Sequence, residues 1–204
     1  MERRVIVDAP TSIDTNKCYP LLFFFHGNGG SPDPFVSDFA SRVAAGELIG
    51  VYPAGHLNSW NLGQEESTAD ELEFIGDIVS SLASYQNIDN DRRYMAGISN
   101  GAGLVHKLAI ESNYFRAGAA VVTSLTTTNL PTSSSPKISM LQILGENDGV
   151  IPYEGGDSPT GHTFLSGEQS ALTWAEHNGC SLTPEVTTTT DGNEKTEYSR
   201  CDDN

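Results

Sequence analysis

The sequence is short of positive charge, of cysteine and of long apolar runs, and each shortage narrows what it can be. Lys and Arg together number 11 against 27 Asp and Glu, a formal net charge of −16. A field of that sign repels polyanions, so nucleic acid and anionic membrane are poor partners. No stretch approaches the roughly 20 apolar residues that a helix needs to cross a bilayer. The opening Met1-Glu2-Arg3-Arg4-Val5 lacks the long apolar run of a signal peptide. Either the protein is cytoplasmic, or the sequence begins after a removed signal. Three cysteines without C-x-x-C spacing argue against a structural zinc site. Nothing points to a metal or an organic cofactor. There is no internal repeat and no linker, and 204 residues that are 37% hydrophobic and 19% charged make one globular domain, 1–204.

The cysteines inform by position. Cys180 and Cys201 flank a polar, Thr-rich segment with few apolar residues. A disulfide there would tie down a tail with little core of its own, two free thiols being the alternative. Cys18 is left over as a free thiol.

What is present is organised around Arg93-Tyr94-Met95-Ala96-Gly97-Ile98-Ser99-Asn100-Gly101-Ala102-Gly103. It reads as a strand, a glycine-bounded turn carrying one serine, and a helix from about Gly101 to Ser112. Gly97-Ile98-Ser99-Asn100-Gly101 fits G-x-S-x-G, the nucleophile elbow. Such a turn strains the serine backbone and presses strand against helix, so side chains two residues either side would clash. The helix N-terminus then points N–H groups where negative charge develops on a substrate oxygen. The alternative is an ordinary turn with an incidental serine.

Around it the pattern alternates. Strands are expected at Val5–Asp8, Leu21–Phe25, Leu48–Pro53, Tyr94–Ala96, Ala117–Val122 and Ile138–Leu144. Leu21-Leu22-Phe23-Phe24-Phe25 is a continuous apolar run, as in a central strand buried on both faces. Helices are expected at Phe35–Ala45, from a Thr68-Ala69-Asp70-Glu71 capping box to Asn87–Asn90, after the elbow, and from a Ser166-Gly167-Glu168-Gln169 capping box to Asn178-Gly179. Short joins between them argue an α/β fold, a mostly parallel sheet with helices on both faces. In such sheets sites gather at the carboxyl ends of strands. Three loops stand there, carrying His26 to Gly30, Ser99 and Asp148.

Roles follow from chemistry. Ser99 is the nucleophile candidate, and a serine needs a base that a carboxylate orients. Asp148, in the Gly-Glu-Asn-Asp-Gly turn, is the acid candidate, with a turn-forming aspartate as the alternative; Glu146 and Asp157 are lesser ones. The oxyanion donors are the backbone N–H of Asn100 and one from the loop after Phe25, at Asn28. His26 reads as a brace of that loop, and His177 as a residue on a solvated helix face. Of the five histidines only His162 and His177 follow Asp148. His162, in the flexible Gly161-His162-Thr163-Phe164 loop, is the base candidate, although it comes early in the chain.

At these residues the sequence resembles the feruloyl esterase and polyhydroxybutyrate depolymerase family of α/β-hydrolases. The resemblance rests on Arg92-Arg93-Tyr94-Met95-Ala96-Gly97-Ile98-Ser99-Asn100-Gly101, His26-Gly27-Asn28-Gly29-Gly30, Ser59-Trp60-Asn61, Asp148 to Gly156, and Trp174 to Cys180. It implies an α/β-hydrolase fold and a serine carboxylic-ester hydrolase that works through an acyl-enzyme. It also implies Ser99, Asp148, Asn28 and Asn100 in the roles above, and Trp60 and Tyr153 lining the substrate cleft, with core or rim positions as their alternative. Relatives cleave feruloyl, acetyl-xylan and polyester bonds, and many are secreted with a disulfide near Cys180. One departure stands out. The family carries its catalytic histidine in a G-H-x-W-P-like segment beyond the second cysteine, whereas this sequence runs only to Cys201-Asp202-Asp203-Asn204. Either the base lies beyond this sequence, leaving a sheet without its last strand and a scaffold that only binds its ligand, or His162 has been recruited. The connection Thr123–Pro136 is too short for a folded lid, so an open cleft suited to polymer-linked or aryl esters is expected.

Overall fold

The computed structural model describes residues 2–202; Asp203 and Asn204, at the point where the resemblance would begin a further strand, lie outside the described residues. Strands β1 (Val5–Asp8), β2 (Tyr19–Phe25), β3 (Ile49–Pro53), β4 (Ile88–Ile98), β5 (Ala117–Val121) and β6 (Ser139–Ile143) form one six-stranded sheet in the order β1-β3-β2-β4-β5-β6. β1 pairs antiparallel to β3, and every other pairing is parallel. Helices α1 (Asp33–Ala44), α2 (Glu71–Leu82), α3 (Asn100–Glu111) and α4 (Gly167–His177) alternate with the strands.

The alternation of side chains along β2 explains the layers. Tyr19, Leu21, Phe23 and Phe25 point to one face and are buried. Phe23 meets Phe115 edge-on, and Phe25 meets Trp60. Gly118, level with Met95 through the β4–β5 register, leaves space that Val105 of α3 fills on this same face. Phe24 points the other way and stacks on Phe35 and Phe39 of α1. Helices therefore cover both faces, as the sequence pattern implied. Each large apolar side chain removed from water in this way is worth about 1.5–3 kcal/mol. β6 forms the open edge, and its Leu141 and Ile143 stay more than half exposed.

Two local expectations are corrected. Residues 88–90, read as the end of a helix, belong to β4, which continues through 91–93. Tyr19 pairs with Ile88, and the register slips between Tyr19 and Leu21, at Pro20, which has no N–H to give the ladder. The cap of α2 is Asp70, whose carboxylate accepts from the Glu73 N–H, rather than Thr68. Glu71 is unavailable for a capping box because it is buried against Arg3 at 2.6 Å and accepts from the Asn61 N–H. The Arg3 guanidinium also lies over the Phe74 ring, fastening the start of the chain to the first turn of α2. The Ser166–Gln169 capping box at α4 forms as expected.

Past α4, Cys180 and Cys201 are disulfide-bonded and Cys18 is a free, exposed thiol. Between the paired cysteines, β9 (Glu185–Thr188) and β10 (Glu194–Glu197) form an exposed hairpin. Before α4 lies a smaller hairpin, β7 (Gly156–Asp157) and β8 (Thr163–Phe164), which positions His162.

Candidate active site

Because β2, β4, β5 and β6 run parallel, their following loops meet at one edge of the sheet. Ser99 follows β4 directly at φ 53°, ψ −123°, in backbone space that a non-glycine residue enters only when its surroundings force it. The flanking glycines are the forcing elements. A Cβ on Gly97 would lie 2.3 Å from the Gly101 carbonyl oxygen, and one on Gly101 would lie 2.2 Å from that of Phe25. Strand, turn and helix thus touch backbone to backbone, the close approach a nucleophile elbow needs. Strain recurs at Val122 (φ 65°), just beyond β5. The next residue, Thr123, donates its hydroxyl to the Ser99 carbonyl at 2.8 Å.

Ser99 is half-buried in a cleft of about 440 Å³ that is also lined by Asn28, Asn100, His106 and His162. Among the described residues no folded lid covers it. Asn28 is exposed on the loop after β2, and Asn100 is the first residue of α3. The Asn100 side chain clamps the facing loop: Oδ1 accepts from the Trp60 N–H and the Ser59 hydroxyl, and Nδ2 donates to the Trp60 carbonyl and to Glu65.

His26 braces the loop after β2, as expected. Its Nε2 accepts from the Gly55 N–H, so Nδ1 carries the proton and donates to the Gly27 carbonyl. Burial holds its pKa below the usual histidine value, consistent with a neutral strut. His106 went unremarked in the sequence because it falls on the apolar face of a helix. It is buried on the cleft wall, and burial pushes its pKa down to about 4. Its Nδ1 accepts from the Trp174 indole, a group that can only donate, so Nε2–H donates to the Thr123 carbonyl. A neutral imidazole thus ties α4 to the loop beneath Ser99.

His162 is buried, and its Nε2 lies 3.0 Å from the Glu65 carboxylate. The β7–β8 hairpin that carries it is laced to the loop after β5 by Thr127 N–H to the Thr163 carbonyl and Leu165 N–H to the Leu125 carbonyl. Glu65 had no signal in the sequence: it is one of two adjacent glutamates in an irregular loop.

Other expected residues lie elsewhere. Asp148 follows β6, but one carboxylate oxygen accepts from the Val150 and Ile151 N–H groups of its own turn. Among the described residues it is hydrogen-bonded to no histidine, and it does not line the cleft around Ser99. Trp60 is wholly buried, its indole donating to the His26 carbonyl; it supports the cleft from the core. Tyr153 lies against Gly167 at the start of α4, outside the cleft. Glu146 is exposed, and Asp157 accepts from the Thr163 hydroxyl. His177 is half-buried rather than solvated, bonded to the Pro136 carbonyl. Among the described residues no side chain is hydrogen-bonded to the Ser99 hydroxyl.

No family model matches the sequence. It is 27% identical over 215 residues to feruloyl esterase B of Piromyces equi, covering 98% of this chain and 39% of that protein. It is 30% identical over 162 residues to a probable feruloyl esterase C of Aspergillus niger, covering 76% of this chain and 58% of that one. The chain therefore spans about two to three fifths of the length of these curated relatives. Among solved structures, an acetyl xylan esterase from Aspergillus awamori superposes with a TM-score of 0.70 at 15% identity, covering 96% of this chain and 83% of that one. At that identity the likeness bears on the fold alone. Sequence relatives and architecture concur: the chain has an α/β-hydrolase fold, and its sequence is similar to feruloyl esterases.

Proposed function

We propose that the protein is a serine carboxylic-ester hydrolase acting on feruloyl-type, acetyl-polysaccharide or polyester substrates through an acyl-enzyme. The observation that carries this is Ser99, held at positive φ by two glycine contacts and presented in an open cleft at the head of α3. The cleft volume lies in the ordinary range for small-ligand sites. Leu62, Ile151 and Phe164 give it apolar wall for an aryl or short acyl group.

In this reading the Ser99 oxygen attacks the ester carbon while its proton passes to His162. The carbonyl electron pair moves onto oxygen, where the backbone N–H groups of Asn28 and Asn100 and the positive end of α3 stabilise it. Collapse expels the alcohol, which takes the proton from His162. Water then repeats both steps and releases the acid. The family resemblance assigns the acid to Asp148. The names of the relatives support feruloyl-type esters within this class, and the disulfide agrees with the secreted setting the resemblance implies.

One observation favours a second reading, a scaffold that binds such esters without cleaving them: among the described residues the Ser99 hydroxyl is not hydrogen-bonded to a base. Hydrolysis of methyl ferulate and p-nitrophenyl acetate decides between them. The unsubstituted chain is expected to turn over both, and Ser99→Ala to abolish turnover. A chain no faster than Ser99→Ala leaves only the binding scaffold.

A further inference from the structure

Two separate segments supply the backbone donors beside Ser99, the loop after β2 and the head of α3. An added Cβ on Gly27 would lie 3.5 Å from the Ser99 Cβ, so the first segment runs directly against the serine. Its other N–H groups are engaged: Gly29 donates to the Asn58 carbonyl and Gly30 to that of Gly27. At the head of α3, Ala102 and Gly103 both donate to the Ser99 carbonyl. Among the described residues the N–H groups of Asn28 and Asn100 have no acceptor, and both residues line the cleft.

A third segment, residues 55–60, grips both. On one side, the Gly55 N–H donates to His26 Nε2 at 2.9 Å, the Asn58 carbonyl accepts from Gly29 at 2.8 Å, and the Trp60 indole donates to the His26 carbonyl at 2.8 Å. On the other side, Asn100 Oδ1 accepts from the Trp60 N–H at 2.8 Å and the Ser59 hydroxyl at 3.3 Å, while Nδ2 donates to the Trp60 carbonyl at 3.0 Å. The segment itself is tightly determined. Leu57 and Asn58 stand at φ 54° and 56°, His56 and Ser59 pair as an antiparallel bridge, and Trp60 is wholly buried. A Cβ on Gly55 would lie 2.4 Å from the Ser59 carbonyl oxygen. Two successive non-glycine residues hold left-handed backbone only where their surroundings over-determine it.

We infer that segment 55–60 is the template that sets the spacing of the two oxyanion donors, and that the Asn100 side chain is the positioning residue that couples it to α3. This rests on the reading of Ser99 as a hydrolytic nucleophile. The G-x-S-x-G pattern leaves the residue after the serine open, and its backbone N–H is the same for any side chain but proline. The clamp is what requires asparagine. The Trp60 backbone presents a donor and an acceptor together, and a neutral amide answers both, whereas a carboxylate only accepts. Donors fixed in place before charge develops need no reorganisation as it does, which is where such a site gains its rate.

The test compares Asn100→Ala, Asn100→Asp and Ser99→Ala with the unsubstituted chain. It reads kcat and KM for methyl ferulate, thermal melting, and the rate at which an aryl phosphonate, whose phosphoryl oxygen takes the oxyanion's place, labels Ser99. Asn100→Ala keeps the backbone N–H and a good helix former at the head of α3 but releases both from segment 55–60. It is expected to lower kcat about 100-fold with KM changed less than about threefold, and to slow labelling by a similar factor. A purely structural role would lower the melting temperature and the fraction of chains that label, with kcat per labelled site unchanged; that result overturns the inference. A fall in kcat with labelling at the unsubstituted rate also overturns it, as does a raised KM at unchanged kcat. Should Asn100→Ala not fold, Asn100→Asp keeps the size and the acceptor for the Trp60 N–H but gives the Trp60 carbonyl no donor. It must show the same split of kcat and KM, and an unchanged kcat overturns the inference. If Ser99→Ala abolishes turnover while both Asn100 variants keep it, the inference fails and the serine-esterase reading stands. If the unsubstituted chain turns over no faster than Ser99→Ala yet Ser99 labels, the esterase reading fails and the labelling rate decides the inference. Labelling about 100-fold slower in Asn100→Ala then upholds it, and an equal rate overturns it. Absence of both turnover and labelling sinks both.

Discussion

Gly101→Ala tests the elbow most directly. The new methyl would lie 2.2 Å from the Phe25 carbonyl oxygen and 2.5 Å from that of His26, where real contacts essentially never fall under 3.0 Å. Both oxygens are backbone at the end of β2, inside the sheet, so no side chain can swing away. Strand and helix must separate by about 0.8 Å, close to the 1 Å misplacement that costs an enzyme about 100-fold. The displacement pulls Asn100 from Asn28, the two proposed oxyanion donors, so kcat should fall about 100-fold. Overpacking of this kind costs about 1–3 kcal/mol of stability, or roughly 2–12 °C in Tm for a chain of this size. Thermal melts by circular dichroism and methyl ferulate turnover read both quantities. Gly145→Ala is the stability control: nothing lies within 4 Å of its added Cβ and its φ is ordinary, so Tm should hold. If Gly101→Ala melts and turns over like the unsubstituted chain, the close-approach argument is wrong.

Two further outcomes follow from burial. The His106 pKa is pushed down to about 4 by burial, so between that pH and 6.5 the unfolded chain binds a proton that the folded chain refuses. Stability should therefore be full above about pH 6.5 and fall by about 3 kcal/mol toward pH 4. Urea unfolding across this range checks it, and His106→Phe should flatten the slope; an unchanged slope removes His106 as its source. Reducing the Cys180–Cys201 bond should speed proteolysis within the β9–β10 hairpin while the sheet keeps its melting transition, because both strands are exposed throughout. Collapse of the whole domain on reduction would show that the hairpin is structurally coupled to the core.

Much of this protein is legible where the rules are local. The run Leu21 to Phe25 became a central strand because apolar side chains on both pleats need cover on both faces. Gly97 and Gly101 announced the serine turn because only a missing Cβ allows that approach. Ser166 and Gln169 capped α4 because each reaches a backbone N–H three residues away. Local rules failed where a distant partner outbid them. Thr68 and Glu71 had the spacing of a cap, but Arg3 claimed Glu71 and left the cap to Asp70. Trp60 looked like a cleft residue, yet the His26 carbonyl and the Phe25 ring draw it into the core.

By itself the sequence determined the alternation of strands and helices, the nucleophile elbow and the end of the sheet where a site must form. These depend on backbone sterics and on side-chain periodicity within a few residues. Only the tertiary structure decided the company that Ser99 keeps. Glu65 and His162 are 97 residues apart, and no local pattern encodes a contact between two irregular loops. It exists because parallel strands bring their loops to one edge, where a desolvated imidazole and a desolvated carboxylate satisfy each other.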